Sequence, residues 1–297
     1  MSAAPKLNHE YLIGKLDELP TLPTIIYELS QIISDPMSST SDVEKIMEND
    51  VSLTTKVLRL VNSAYYSIPG GVGNLRRAIA YIGFDTVHQL ILSASIINAL
   101  DIKDPRHFDI KQFWTHSVGV GIAAEIIAKT IGHAQPSDLF TCGLIHDMGK
   151  LALYTIDATS VSEIIHNIEV KNLSYLESEM DLGLPTHCEI GKMLAEKWRL
   201  PLQTQTVILY HHQPNSMKRG GVSADLSQSV DIILLANLLT HALKFGHSGH
   251  KKILNLNQEI MQRLSIDPQQ GLKNLIRQIK VRLKKAVTFI NIISGGN

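Results

Sequence analysis

The segment Thr141–Leu151, TCGLIHDMGKL, constrains the fold more than any other part of this 297-residue sequence. It places an adjacent pair, His146 and Asp147, among apolar residues that recur at helical spacing, so we expect one core helix from Pro136 through this segment. A buried imidazole and carboxylate need hydrogen-bond partners or a metal ion, because an unpaired buried charge is costly. Lys150 follows His146 by four residues, and we expect it on the same face, one turn further on.

Helical patterns also account for nearly all of the remaining chain, and no convincing run of alternating apolar and β-branched residues is present. We therefore predict an all-α, two-lobed helical bundle. The polar segment 101–109, DIKDPRHFD, is the best candidate for a boundary between the lobes. The predicted domains are an N-terminal helical lobe at 1–105, a second helical bundle at 106–250 and a C-terminal helical extension at 251–297.

The overall composition argues against two classes of partner. Lys and Arg together number 28, as do Asp and Glu, so no net field would attract nucleic acid or an anionic membrane. The basic side of the last helix is more typical of a solvated face than of a binding surface.

No basic-then-apolar leader and no apolar run of about 20 residues is present, so we expect a cytoplasmic protein. Cys142 and Cys188 are too few for a disulfide framework, and we expect two buried thiols.

Several histidines occur at places where a rigid ligand is expected. His116 lies inside a long apolar helix, and His187 lies in the first turn of a helix that Thr186 and Glu189 begin as a capping box. The adjacent pair His211 and His212 closes another helix before a proline. Imidazole and carboxylate together suit borderline divalent metals, and a carboxylate can bridge two ions. The remaining histidines, including His241 and His250, are expected to be ordinary core or surface residues.

The order of these residues resembles that of the HD-type metal phosphohydrolases, and the closer resemblance is to the HDOD family, an HD-related output domain of bacterial signalling proteins. Four motifs carry this resemblance: LPTLP at 19–23, LRLVNSAYY at 58–66, AIAYIG at 78–83 and CGLIHDMGK at 142–150. It implies an all-helical fold with an HD-like second lobe. It does not imply a settled enzymatic activity.

The related HD phosphodiesterases that cleave cyclic dinucleotides imply a ligand set for this chain, and Lys150 matches the lysine after their His-Asp pair. Three departures argue against their activity. Gln112 stands where those enzymes carry a glutamate, Asn237 stands where they carry a late aspartate, and QPNSMKRGG after His212 lacks their Gly-Tyr-Pro signature. Asn237 can still offer a carbonyl oxygen, whereas Asp231 lies on another helix face and is not expected to replace it. The implied metal ligands are His116, His146, Asp147, His187, His211, His212 and Asn237.

Two functions remain open from the sequence. The first is a bacterial signalling protein that binds regulatory proteins or a small ligand and keeps a site for one or two divalent ions, with iron, manganese, nickel and zinc as candidates. The second is a metal-dependent phosphohydrolase acting on a nucleotide or cyclic dinucleotide. In that case Asp147 would be shared by both ions, and Lys150 would stabilise developing charge on the phosphoryl oxygens.

Overall fold

The computed structural model describes residues 11, 14–15, 17–19, 21–34, 39–100, 102, 108–250, 252 and 255–293. These residues form helices and connecting loops, and no strand occurs among them. The all-α prediction is confirmed. The predicted domain boundaries at 105 and 250 fall at or beside positions outside the described residues.

The chain divides into two compact units, and each is made of two separate stretches. The smaller unit comprises residues 21–101 and 277–297. Several of its helices begin with a side-chain cap, as when Asp50 accepts a hydrogen bond from the backbone N–H of Leu53. Its helices are α1 (Thr24–Ser34), α2 (Thr40–Met47), α3 (Val51–Val61), α4 (Leu75–Ile82) and α5 (Phe84–Ala99), and near the chain's end α16 (Val287–Ile293).

The larger unit comprises residues 1–20 and 102–276 and contains every candidate ligand. A long helix, α6, packs against α7 and α13, while α11 packs against α8 and α12. Its helices are α6 (Ile110–Ile131), α7 (Pro136–Ile145), α8 (Met148–Ile156), α9 (Ala158–Lys171), α10 (Tyr175–Asp181), α11 (His187–Lys197), α12 (Leu202–Tyr210), α13 (Ala224–Ala242) and α14 (Gln258–Arg263). The division between the two units, after residue 276, falls within α15 (Gln270–Lys285).

The prediction of one continuous helix through His146 and Asp147 is wrong. Helix α7 ends at Ile145 and α8 begins at Met148, so the pair lies at a break between two helices. Asp147 leaves the helical region, with φ −98° and ψ 11°, and acts as the N-cap residue of α8. The apolar residues on both sides are buried. Hydrophobic periodicity cannot reveal such a break, because both short helices bury the same kinds of residue.

No single helix within the described ranges has the length and apolar character needed to cross a membrane. Helices α4 and α5 meet that test only as a pair, and they are bent by 120° relative to each other.

Candidate metal centre

The carboxylate of Asp147 lies at the centre of the histidine cluster. Its Oδ1 atom is 3.2 Å from Nε2 of His187 and 3.4 Å from Nε2 of His211. Its Oδ2 atom is 3.3 Å from Nε2 of His146. All four side chains are buried. The fold thus brings imidazoles from three places in the larger unit to one carboxylate.

Two of these imidazoles are oriented by the ends of helices. His146 and His211 each follow the last residue of a helix, where backbone carbonyls lack an intrahelical partner. Nδ1 of His146 donates to the carbonyl of Gly143 at 2.7 Å, and Nδ1 of His211 donates to that of Ile208 at 2.8 Å. A carbonyl can only accept, so whenever either ring is neutral its Nε2 carries the lone pair that faces Asp147.

His187 is held by a buried glutamate that the sequence prediction did not include. Glu179 is fully buried and accepts two hydrogen bonds of 2.8 Å from His187, one from its backbone N–H and one from Nδ1. Thr186 and Glu189 form the expected capping box, which fixes the start of α11. The side chain of His187 is therefore set from both sides, with its Nε2 directed to Asp147. The segment around Glu179 carries no local signal for this contact.

The arrangement leaves several lone pairs facing one another. The Nε2 atoms of His187 and His211 are 3.4 Å apart beside Oδ1 of Asp147. Such lone pairs repel unless a proton or a metal cation lies between them, and nitrogen with carboxylate oxygen is a donor set that suits divalent metals. The residues therefore fit a metal ion. Within the candidate ligand set, four buried atoms have no hydrogen-bond partner among the described residues: Nδ1 of His116, Nε2 of His146, Oδ1 of Asp147 and Nε2 of His212.

The candidate ligands form two neighbouring groups. In each group, one ligand atom from every residue lies within 4.8 Å of the others. Asn237 adjoins one of these groups, because its Oδ1 atom is 2.9 Å from Nε2 of His116. Gln112 uses its backbone carbonyl to accept a hydrogen bond from the N–H of His247. The first group contains His116, His146 and Asp147, and the second contains His187, Cys188, His211 and His212.

Lys150 is buried and all three of its N–H donors have partners inside the protein. Its Nζ donates to Oδ2 of Asp147 at 2.7 Å, and to the backbone carbonyl and the hydroxyl of Ser248 at 3.0 Å each. The ammonium also lies 4.6 Å from the centre of the Tyr175 ring. These contacts hold the carboxylate of Asp147 in place.

The electrostatics of the cluster favour a bound cation. Burial opposes ionisation of Asp147, but His146 and Lys150 outweigh it and hold the pKa of the carboxyl well below its usual range. Burial lowers the pKa of His116 well below its usual range, so this imidazole is neutral at pH 7. Burial also opposes protonation of His211, yet Cys188 and Asp147 raise its pKa to about 9. A proton therefore competes for the position where the lone pairs converge.

A cavity of about 380 Å³ opens beside the two groups. His241, expected to be an ordinary core or surface residue, lines it, and its ring lies 4.3 Å from that of His116 and 4.7 Å from that of His250. Among the described residues that line the cavity, none is lysine or arginine. The lining combines imidazoles, amides and apolar side chains: His211, His212, Pro214, Leu234, Asn237, Leu238, His241, His250, Asn255, Leu256 and Asn257.

The loop after His212 is anchored by a buried ion-pair network. Arg219 is fully buried and donates to the carbonyl of Gln213, to Ser227 and, at 2.6 Å, to Asp231. Arg263 donates to both carboxylate oxygens of Asp231. Asp231 is thus engaged by two arginines. Arg263 also donates at 2.9 Å to the carbonyl of Pro214, which lines the cavity.

Comparison with known proteins agrees with this architecture. The family model of the HDOD domain matches residues 19–214, which is more than half of the chain. The chain belongs to the HDOD family. This confirms the family that the sequence motifs indicated.

An uncharacterised protein of Treponema pallidum (strain Nichols) is 28% identical to this chain over 205 residues. That match covers 68% of this chain and 39% of the relative, so this chain spans well under half of the relative's length.

Two solved structures share the fold over nearly the whole chain. One is a "Putative phosphohydrolase" from Shewanella amazonensis SB2B, with a TM-score of 0.71 and 24% identity, covering 96% of this chain and 97% of the other. The other is an HDOD domain protein of unknown function from Geobacter sulfurreducens, with a TM-score of 0.69 and 22% identity, covering 97% of each chain. At these identities the similarity establishes the fold alone.

Proposed function

We propose that this HDOD protein is a regulatory protein whose metal centre binds a small ligand that carries a phosphate group. The observation that carries this proposal is the convergence of the Nε2 atoms of three buried imidazoles on the buried carboxylate of Asp147, next to a cavity of about 380 Å³. Packing alone does not explain such a buried site, because polar atoms left unpaired in a core lower the stability of the fold.

The two groups around Asp147 would hold one or two divalent ions. The first ion would be bound by His116, His146, Asp147 and Asn237, and the second by Asp147, His187, His211 and His212. Iron, manganese, nickel and zinc all accept nitrogen and oxygen donors of this type. When bound, a divalent metal supplies Lewis-acid chemistry toward phosphoryl oxygens and lowers the pKa of water.

The side chains around the centre bind and orient the ligand. Glu179 and Lys150 keep His187 and Asp147 in fixed positions, so little reorganisation is needed when a ligand arrives. The amides and imidazoles of the cavity can form hydrogen bonds with an uncharged planar group such as a nucleobase, and its leucines can pack against that group's faces. The ligand class we expect is therefore a nucleotide or cyclic dinucleotide.

Hydrolysis of such a ligand is the second candidate function. The position of Asp147 favours this candidate. Histidines of both groups contact its carboxylate, so two ions could share it. The phosphohydrolase description of the Shewanella amazonensis structure is consistent with this candidate. Lys150 would then act by holding Asp147, because its N–H donors are already engaged.

One experiment tests both functions. Metal content of the purified protein is measured by elemental analysis, and binding of inorganic phosphate and cyclic dinucleotides by calorimetry, with and without a chelator. Hydrolysis of a generic phosphodiester is then assayed with added manganese or iron. Asp147→Asn is compared with Asp225→Asn, a change of an exposed residue in the first turn of α13.

We expect metal-dependent binding of phosphate in the wild-type protein and in Asp225→Asn, and a loss of bound metal of at least about tenfold in Asp147→Asn. Hydrolysis that Asp147→Asn abolishes would support the second candidate. Metal with ligand binding but no hydrolysis would support the regulatory function. If no preparation contains or takes up metal, both are wrong. The signalling partners and the cytoplasmic location stay predictions.

A further inference from the structure

Cys188 lies against the histidines of the second group, although the sequence placed it only among buried thiols. Its Sγ atom is 3.6 Å from Nε2 of His187 and 4.0 Å from Nδ1 of His211. The side chain is 5% exposed and lies in the first turn of α11, where the positive end of the helix favours a thiolate.

Two interatomic distances in this group match the edges of a tetrahedral metal site. Zinc binds imidazole nitrogen at about 2.0–2.1 Å and thiolate sulfur at about 2.3 Å, so tetrahedral angles require N···N near 3.3–3.4 Å and N···S near 3.6 Å. The corresponding distances are 3.4 Å between the Nε2 atoms of His187 and His211, and 3.6 Å from Sγ of Cys188 to His187. A sulfur at that distance is placed as a ligand would be.

The other cysteine provides a contrast within the same chain. Cys142 is also buried, but its sulfur lies 3.6 Å from the hydroxyl of Thr204 and belongs to neither group of candidate ligands. Burial alone therefore does not bring a cysteine to the histidines. The position of Cys188 is set by the start of α11, one residue after His187.

We propose that the thiolate of Cys188 is a direct ligand of the ion held by His187, His211 and His212. The inference rests on the proposed metal centre, and it adds a ligand type with consequences for the choice of metal. Sulfur favours thiophilic ions, so this position would select zinc or iron over manganese and magnesium. The thiolate also supplies a second negative charge beside that of Asp147, and its proton is released to solvent when the metal binds.

Cobalt substitution tests the ligand directly, because a thiolate bound to Co²⁺ gives an intense charge-transfer absorption that imidazole and carboxylate ligands lack. The metal-free protein is titrated with Co²⁺ as wild type, Cys188→Ser and Cys142→Ser. We expect the absorption in the wild type and Cys142→Ser and its loss in Cys188→Ser. Affinity for zinc should fall in Cys188→Ser by at least about tenfold.

A second measurement needs no variant and protects the test against misfolding of Cys188→Ser. X-ray absorption at the zinc edge of the loaded wild-type protein should contain a sulfur shell at about 2.3 Å beside the nitrogen shell. A shell of nitrogen and oxygen alone, or an unchanged cobalt spectrum in folded Cys188→Ser, would overturn the proposal. Failure of the proposed function would appear separately, as metal-loaded protein that does not bind phosphate.

Discussion

Two buried side chains, Glu179 and Lys150, set the positions of candidate ligands through direct hydrogen bonds. Glu179 accepts hydrogen bonds from both the backbone N–H and Nδ1 of His187. Nε2 of His187 is therefore the nitrogen that can bind a metal at the centre. Lys150 occupies Oδ2 of Asp147 and leaves Oδ1 facing His187 and His211. At the scale of single residues, the orientation of the centre therefore depends on groups outside the proposed ligand set.

We expect Glu179→Gln to weaken metal binding by about 10–100-fold, which is the usual cost of removing a carboxylate that orients a ligating histidine. The amide has no negative charge to make His187 a better donor, and its NH₂ group can favour the other tautomer. The dissociation constant for zinc is measured by competition with a chelator. Glu163→Gln, a change of an exposed residue on α9, serves as the control and should bind as the wild type does. Equal affinity in both variants would contradict a positioning role for Glu179.

At the scale of helices, the centre depends on the close contact between α8 and α11. A Cβ atom on Gly149 would lie only 1.9 Å from the carbonyl oxygen of His187 and 2.7 Å from the backbone nitrogen of Gly191. The two helices therefore meet backbone to backbone beside the start of α11. This contact places His187 and Cys188 next to the break that carries Asp147.

We expect Gly149→Ala to lower the free energy of unfolding by at least about 1–3 kcal/mol, because the methyl group forces the two backbones apart. The same shift should reduce the metal content, since it moves His187 away from Asp147. Denaturant unfolding and elemental analysis measure the two effects. Gly73→Ala adds a methyl group where nothing lies within 4 Å and should change neither. A Gly149→Ala protein that keeps full stability and full metal content would show that the helices can separate without cost.

At the scale of the whole molecule, all proposed ligands belong to the larger unit, residues 1–20 and 102–276. Ligand binding stabilises the folded state of the part that binds and leaves other cooperative parts unchanged. Metal occupancy should therefore appear as a local gain in protection from hydrogen exchange.

With free metal at 100 times its dissociation constant, we expect the larger unit to gain about 2.7 kcal/mol of stability. This corresponds to roughly 100-fold slower exchange of the amides in α6, α7, α11 and α12 that open only on unfolding of that unit. The amides of α3, α4 and α5 in the smaller unit should exchange at the same rate with and without metal. Mass spectrometry of exchanged peptides measures both. Equal slowing in the two units would contradict this prediction and indicate one cooperative unfolding unit.

The sequence by itself determined the helical class, the family and several local features. The helical spacing of apolar residues excludes a sheet, and the capping box of Thr186 and Glu189 predicts the start of α11 where the structure has it. The histidines singled out by their position in helices include those that the structure brings around Asp147. These features depend on interactions within one helix or one turn, which a local pattern records.

Only the tertiary structure decided how these residues meet. The break at His146 and Asp147, the support of His187 by Glu179, and the place of Cys188 in the second group all depend on packing between helices. His116 meets Asn237 across 121 positions, and Lys150 meets Ser248 across 98. No pattern confined to one helix specifies contacts at such separations, because they form only when several amphipathic faces are buried together.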